Sequence, residues 1–175
     1  MGQVRDIKKG YVETTALKST IAGHIYSVKS DTVLENGMAI KLGAMDTTTD
    51  LGVYNCTKAG MADKMVLMST VVIMYDESTT EAQNECYYEI AVDEIGRCYE
   101  VAEGDRFAVS DYSITPIAVD VVKGNYVKVV DGQYVEILDS EDLSGLGFVG
   151  QIVDIQSRGI LKVAKILVLK NEDVA

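Results

Sequence analysis

From residue 25 onward the chain alternates apolar and polar positions in short runs broken by turn residues, the two-residue period of half-buried β-strands. Runs at 26–28, 38–42, 53–56, 65–75, 90–92, 97–101 and 107–110 predict strands, with reversals at the Asp-, Thr- and Gly-rich stretches 46–52 and 103–105. The run 65–75 lacks alternation, which predicts burial on both faces. Around Asn36-Gly37 the pattern predicts a hairpin over residues 25–43, because both residues tolerate the positive φ of a tight reversal. Met38, Ile40 and Leu42 then share one face, and Ala39 and Lys41 the other. Residues 79–88 fit either a helical turn or a charged loop.

Pro116, the only proline, lacks an amide donor and restricts Thr115, which places a boundary between two units there. Beyond it a second hairpin is predicted over residues 126–137, around Asp131-Gly132. A three-residue loop with Gly132 at the positive-φ position puts Val127, Val129, Val135 and Ile137 on one face; an even loop joins Val127 and Val129 to Tyr134 and Glu136 instead. The odd loop gives the more apolar core. It leaves Tyr126, Lys128, Tyr134 and Glu136 on the outside as a candidate oligomer interface. Runs at 148–155 and 160–170, reversing at Ser157-Arg158-Gly159, complete a small module whose closure would hide its strand edges. The expected fold is mainly β: two small barrel- or sandwich-like modules, residues 21–115 and 117–175, preceded by an extended N-terminal arm, residues 1–20.

Residues 2–20 carry neither period, although 10–15 has β-forming content; such an arm suits strand addition to a neighbour's sheet edge. Its candidate contacts are Arg5, Lys8, Lys9, Tyr11, Val12 and Lys18. Charge is uneven: residues 1–30 carry +3 and the remainder −14 of the net −11. An acidic body argues against wrapping nucleic acid, whose phosphates call for clustered Lys and Arg. A 175-residue chain that is 47% hydrophobic can bury a core without disulfides. Cys56, Cys86 and Cys98 are odd in number with no C-x-x-C pair, so neither a disulfide framework nor a zinc knuckle is expected, and synthesis in a reducing cytoplasm fits. No secretory h-region is expected, and the apolar runs fall short of the ~18 residues of a membrane span. Asp6 stands where a myristoylation motif has Ser or Thr.

Groups that do chemistry are sparse. Gly145-Leu146-Gly147-Phe148-Val149-Gly150 has the spacing G-x-G-x-x-G, but the β-branched residues that follow leave no room for the helix that would hold a pyrophosphate, so a glycine-rich turn into a strand is expected and no cofactor. His24, the single histidine, has no nearby cysteine in sequence to activate as a nucleophile. Paired carboxylates such as Asp93-Glu94 and Glu141-Asp142 could serve a glycosidase, yet the chain has no Trp platform for sugars. The acidic stretch 139–145 could attract Ca²⁺ but lacks the alternating ligand pattern of a calcium loop. Tyr87, Tyr88, Tyr99, Tyr112, Tyr126 and Tyr134 suit either interfaces or half-buried strands. No catalytic, cofactor or metal residue is therefore assigned, and an enzyme is not expected.

The segment 25–43, then Val72-Ile73-Met74-Tyr75-Asp76-Glu77, then residues 96–110 (GRCYEVAEGDRFAVS) resemble structural proteins of tailed bacteriophages, above all the head decoration, or cement, proteins. The likeness spans roughly residues 20–115 and carries a strand, Asn-Gly, strand opening with a later Gly-Asp, Phe, Ser strand. The resemblance implies a non-enzymatic virion protein on the capsid exterior, often a homotrimer, whose partner is the major capsid protein and which clamps neighbouring subunits. A tail or neck component is the runner-up, and a carbohydrate-binding β module a third reading.

Overall fold

A computed structural model describes residues 10–72, 87–138, 142–158 and 161–174. The chain is mainly β. Strand β1 (Val12–Ala16) precedes a short helical turn, α1 (Ser19–Ala22). Five strands, β2 (Ile25–Lys29), β4 (Ala39–Met45), β5 (Val53–Lys58), β6 (Val66–Met68) and β8 (Gly96–Glu100), close into a barrel in the order β2-β5-β4-β6-β8. A two-stranded ribbon of β3 (Leu34–Glu35) and β7 (Glu89–Ile90) accompanies it. The remaining strands are β9 (Arg106–Ser110), β10 (Ile114–Thr115), β11 (Tyr126–Val130), β12 (Gln133–Ile137), β13 (Phe148–Arg158) and β14 (Leu161–Asn171). With β1 they make one sheet in the order β1-β9-β14-β13-β11-β12-β10.

That second sheet is curled. A single 3-10 turn, Asp111–Ser113, joins β9 to β10, yet the two stand far apart in the strand order, so the sheet must bend round until its ends meet. The rings inside it agree: Phe107 on β9 lies 5.8 Å from Tyr134 on β12, and Tyr134 lies 6.1 Å from Phe148 on β13.

Alternation along the barrel strands explains why both units share a core. Val28, Ile40, Cys56, Val66, Met68 and Cys98 fill the barrel interior, while Ala39, Leu67 and Tyr99 point the other way, into the larger core with Phe107, Tyr134 and Phe148. Residues 65–68 are accordingly buried on both faces, but the rest of the run expected to be buried is not: Val71 is 62% exposed, and residues 73–75, like 79–86 of the helical-turn-or-loop piece, lie outside the described residues. The β11–β12 turn is stitched to the barrel: Ala39 N donates to Gly132 O (3.0 Å) and Gly132 N to Ala59 O (2.9 Å).

Four expectations change. Residues 25–43 do not form a hairpin: β2 pairs with β5 in parallel and with β8 antiparallel, and β4 pairs with β5 and β6. The turn is real, but only Gly37 has positive φ (89°), and the buried Asn36 side chain brackets Thr70, accepting from its N (2.7 Å) and donating to its O (2.9 Å). Asparagine is there to bridge, not to adopt a left-handed backbone.

The β11–β12 loop is even. Asp131 and Gly132 both have positive φ (49° and 77°), the signature of a two-residue turn, and Val129 pairs with Tyr134 and Val127 with Glu136. Tyr134 and Glu136 are therefore buried rather than partner-facing; Tyr126 and Lys128 are half-buried. The even register wins because Tyr134 completes the aromatic core and the Glu136 carboxylate has backbone donors waiting for it.

Pro116 does not separate two sheets, since β9 and β10 before it share a sheet with β11–β14 after it. The larger sheet instead takes its strands from both sides of the barrel segment, β1 before it and β9–β14 after it. Nor is the described part of the N-terminal arm free for a neighbour. β1 pairs with its own protomer's β9, Val12 opposite Val109, and Leu17 is 1% exposed in the large core, a burial worth about 1.5–3 kcal/mol.

Candidate interaction surface

At the N-terminal strand, each described residue expected to grip a partner is held within the protomer. Tyr11 packs on Ala108, Leu161 and Val163, its carbonyl accepts from Ser110 N (3.3 Å), and its hydroxyl accepts from Arg158 Nη1 (3.0 Å). Arg158 also pairs with Glu13 (3.2 Å). The Lys18 amide donates to Asp105 and its Nζ to Glu103 O (2.9 Å). Arg5, Lys8 and Lys9 lie outside the described residues. What sequence reasoning took for one arm is, over Val12–Ala16, the outer strand of the sheet; the β-forming stretch 10–15 was the signal.

Where the curled sheet closes, residues that follow β9 and β10 surround an open cleft of about 520 Å³. Its walls include Asp111 and Tyr112 from the 3-10 turn, Ile114 and Pro116 by β10, Val119 from the next loop and Lys162 from β14. Asp111 Oδ1 is buried and meets no hydrogen-bond donor among the described residues. Burial raises the Asp111 pKa, and the Lys162 cation only partly offsets it. The loop beside it, residues 117–122, turns apolar groups to solvent: Val119 is 92% exposed, Ile117 51% and Val122 49%.

This loop is not slack. The Glu136 carboxylate accepts from Ile117 N (3.0 Å), Val122 N (2.8 Å) and Asn125 Nδ2 (2.9 Å). Gly124 N donates to Ile152 O (2.8 Å) and Ile152 N to Asn125 O (2.9 Å), tying the loop's end to β13. A carboxylate is costly to bury unless hydrogen bonds replace its water, and here three donors do so. The result is an apolar display fixed on a rigid frame, which the polar-out pattern of an ordinary solvated loop does not require.

A second polar cluster sits at the barrel mouth. Glu100 accepts from Lys64 Nζ (2.7 Å) and contacts His24 Nδ1 and, at 3.5 Å, Tyr26 OH. Lys64 first, then His24, hold the Glu100 pKa below its ordinary value, while burial raises that of Tyr26. Lys41 and Asp63 pair beside it. Cys98 faces the barrel interior, and burial pushes its thiol up to about 12. His24 is thus an exposed partner of a structural carboxylate. Among the described residues no group of three or more His, Cys, Asp or Glu is placed to hold a metal. Residues 139–141 of the acidic stretch lie outside the described residues, and Asp142 caps Ser144 N (2.9 Å). Gly145 and Gly147 lead into β13, a turn into a strand. No helix among the described residues is long and apolar enough to cross a membrane.

No protein-family model and no curated protein matches the chain. Among solved structures it is similar to the head fiber gp8.5 N base of bacteriophage phi29, at 10% identity and a TM-score of 0.47, over 86% of this chain and 97% of that one.

Proposed function

We propose that this chain is a non-enzymatic virion protein that decorates the outer surface of an icosahedral phage head and bridges neighbouring capsid subunits. The observation that carries the reading is the pinned apolar loop, Ile117, Val119 and Val122, beside the cleft at Asp111: a preformed patch whose apolar side chains stand exposed among the described residues. The sequence resemblance to head decoration proteins supports it. So do the rigidity of two sheet-built units fused through one core and a net charge of −11, which keeps copies apart before assembly. The partner in this reading is the major capsid protein, with the chain itself as a homotrimer at local three-fold positions.

The test is sedimentation of purified protein with heads of the encoding phage that lack it. Saturable binding in a fixed ratio to capsid subunits, with heads that then resist heating longer, is the expected result. Rings or tubes formed by the purified protein alone, with no binding to heads, would replace this reading by a tail or neck component.

A further inference from the structure

We propose that the outer face of the curled sheet carries a carboxylate-binding pocket between β1, β9 and β14, where Arg106 and Lys165 receive an aspartate or glutamate side chain of the protein this chain docks on. This rests on the docking role proposed above and adds a charged point of contact to the apolar loop.

Strand pairing builds the pocket. Ala108 stands opposite Lys165 and Arg106 opposite Leu167, so Arg106 and Lys165 lie diagonally across one face, about 7–8 Å apart at the backbone. It is the face turned away from the core, since Phe107, Val109 and Ile166, which alternate with them, point inward. On the other flank β1 advances three residues, from Glu13 to Ala16, while β9 advances two, from Ala108 to Arg106. The extra residue bulges and bends β1. An open pocket of about 110 Å³ lies at the bend, walled by Glu13, Thr15 and Ala16 together with Arg106 and Lys165.

Charge selects the occupant. Acidic residues outnumber basic ones 27 to 16, yet neither the Arg106 nor the Lys165 side chain forms an ion pair or hydrogen bond among the described residues. Glu13, the one acid in the described walls, is engaged by Arg158 (3.2 Å) and the Thr15 hydroxyl (3.4 Å). Two uncompensated positive charges therefore stand side by side, repelling each other until an anion comes between them. Arg106 is exposed and Lys165 half-buried, so solvent and partner reach both. A carboxylate accepts a charge-assisted hydrogen bond from each at once, whereas an amide, hydroxyl or aliphatic side chain leaves the repulsion in place. The pocket takes one head group, and the acidic body around it excludes a nucleic-acid strand. A second copy of this chain is disfavoured by the −11 net charge that both would carry. The site also adjoins the docking surface already described. Lys162, which pairs with Asp120 of the exposed loop (3.3 Å), precedes Lys165 on β14 by three residues, roughly 10 Å along the strand.

The experiment uses the full chain and heads lacking it. Arg106→Glu and Lys165→Glu reverse the pocket's charge one residue at a time; Arg97→Glu makes the same change in net charge at an exposed arginine of β8 and is the control. With melting curves unchanged, at least about tenfold weaker binding to heads is expected for each pocket variant, and binding within about twofold of wild type for the control. Where a reversal unfolds the chain, Arg106→Gln and Lys165→Met, which only remove charge, should still cost about threefold or more. A carbodiimide, which condenses an amine with a carboxylate touching it, should join Lys165 to an aspartate or glutamate of a head protein. Pocket variants that bind no more weakly than the control overturn the inference and leave the docking role standing, as does a Lys165 crosslink to a second copy of this chain. Failure of the wild-type protein to bind heads defeats the docking role and this inference with it.

Discussion

Asn171 holds both backbone polar groups of Met65: its Oδ1 accepts from Met65 N (2.8 Å) and its Nδ2 donates to Met65 O (2.8 Å) and to Val101 O (2.7 Å). One side chain at the end of β14 thus acts as a strand partner for the barrel, fastening the last strand of the curled sheet to the start of β6. Its neighbours reinforce the strap, with Glu172 N donating to Gly147 O, Lys64 N to Asp173 and Val174 N to Ala62 O, each at 2.9 Å. Met65 and Val101 are buried, so the groups it satisfies have no water to turn to.

Asn171→Ala should therefore lower unfolding stability by about 2–4 kcal/mol, since each orphaned buried group costs roughly 1–3 kcal/mol and the costs are not fully additive. Asn171→Asp should do no better, because a carboxylate can accept from Met65 N but faces two carbonyls it cannot donate to. Denaturant titration measures both; a loss under 1 kcal/mol for either would mean the strap is redundant.

Two glycines of the G-x-G-x-x-G stretch separate packing from spacing. A Cβ at Gly147 would fall inside van der Waals contact of Asp63 O and Ala62 C, backbone atoms that cannot step aside, while one at Gly145 meets nothing within 4 Å. Gly147→Ala should destabilise by several kcal/mol, on the order of a severe overpacking substitution, and Gly145→Ala should leave the melting temperature unchanged. Equal effects at the two positions would show that something other than this close approach selects glycine.

Which residues form strands was largely legible in the period-two pattern, although of the run 65–75 only Val66–Met68 is strand among the described residues and of 90–92 only Ile90. Which strands pair was not. Alternation tells a residue's face but not its neighbour: β2 and β4, read as the two arms of a hairpin, are separated in the barrel by β5, and Asn36 bonds to Thr70 instead. The Asp131-Gly132 register was written in the dipeptide, whose two residues both tolerate positive φ; weighing Val135 and Ile137 as core against Tyr134 and Glu136 pointed the wrong way. Burial of a charged residue is decided by donors supplied from elsewhere in the chain, here Ile117 N and Val122 N, and no local pattern announces them. For the same reason the loop at residues 117–122 was overlooked, although a run of aliphatic residues after a proline was its visible trace.

The β4–β5 loop should be fastened by charge and released by acid. Lys29 Nζ pairs with Asp46 (2.7 Å) and Asp50 (2.8 Å), and Asp46 also accepts from Thr48 N and Thr49 N. Lys29 first, then the Thr48 and Thr49 amides, hold the Asp46 pKa well below its ordinary value. A carboxylate with a depressed folded-state pKa contributes stability above its unfolded value, about 3.9, and loses that contribution as the pH falls toward the folded value. The Thr48 amide resonance should therefore titrate with a midpoint well under 3.9, and Asp46→Asn should abolish the titration; a midpoint at or above 3.9 contradicts the clasp.

Two thiols should be silent while the protein is folded. Cys56 and Cys98 lie inside the barrel, and burial pushes their pKa values up to about 11 and about 12, which leaves almost no thiolate at pH 8. A short iodoacetamide pulse followed by peptide mapping should find neither residue alkylated in native protein and both alkylated in denaturant. Native labelling of Cys98 would mean that the barrel opens on the time scale of the pulse.

Glu136→Gln tests whether the apolar loop is held or merely rests in place. The carboxylate accepts from three donors, Ile117 N, Val122 N and Asn125 Nδ2, and has none to offer in return. An amide of the same shape must turn its NH₂ toward at least one of those donors, leaving a buried N–H against a buried N–H, so a loss of about 1–3 kcal/mol is expected. The loss should be local as well as global. Amides of Ile117 and Val122 should exchange faster in the variant, while those of Ile152 and Ile166, deep in β13 and β14, should slow or quicken only with global stability. Binding to heads should weaken even where the protein is fully folded, because an apolar patch that must be ordered at the moment of contact docks less tightly than one already in place. Unchanged exchange at Ile117 and Val122 would show that the loop keeps its shape without Glu136, and the reason for burying a carboxylate there would have to be sought in the core instead.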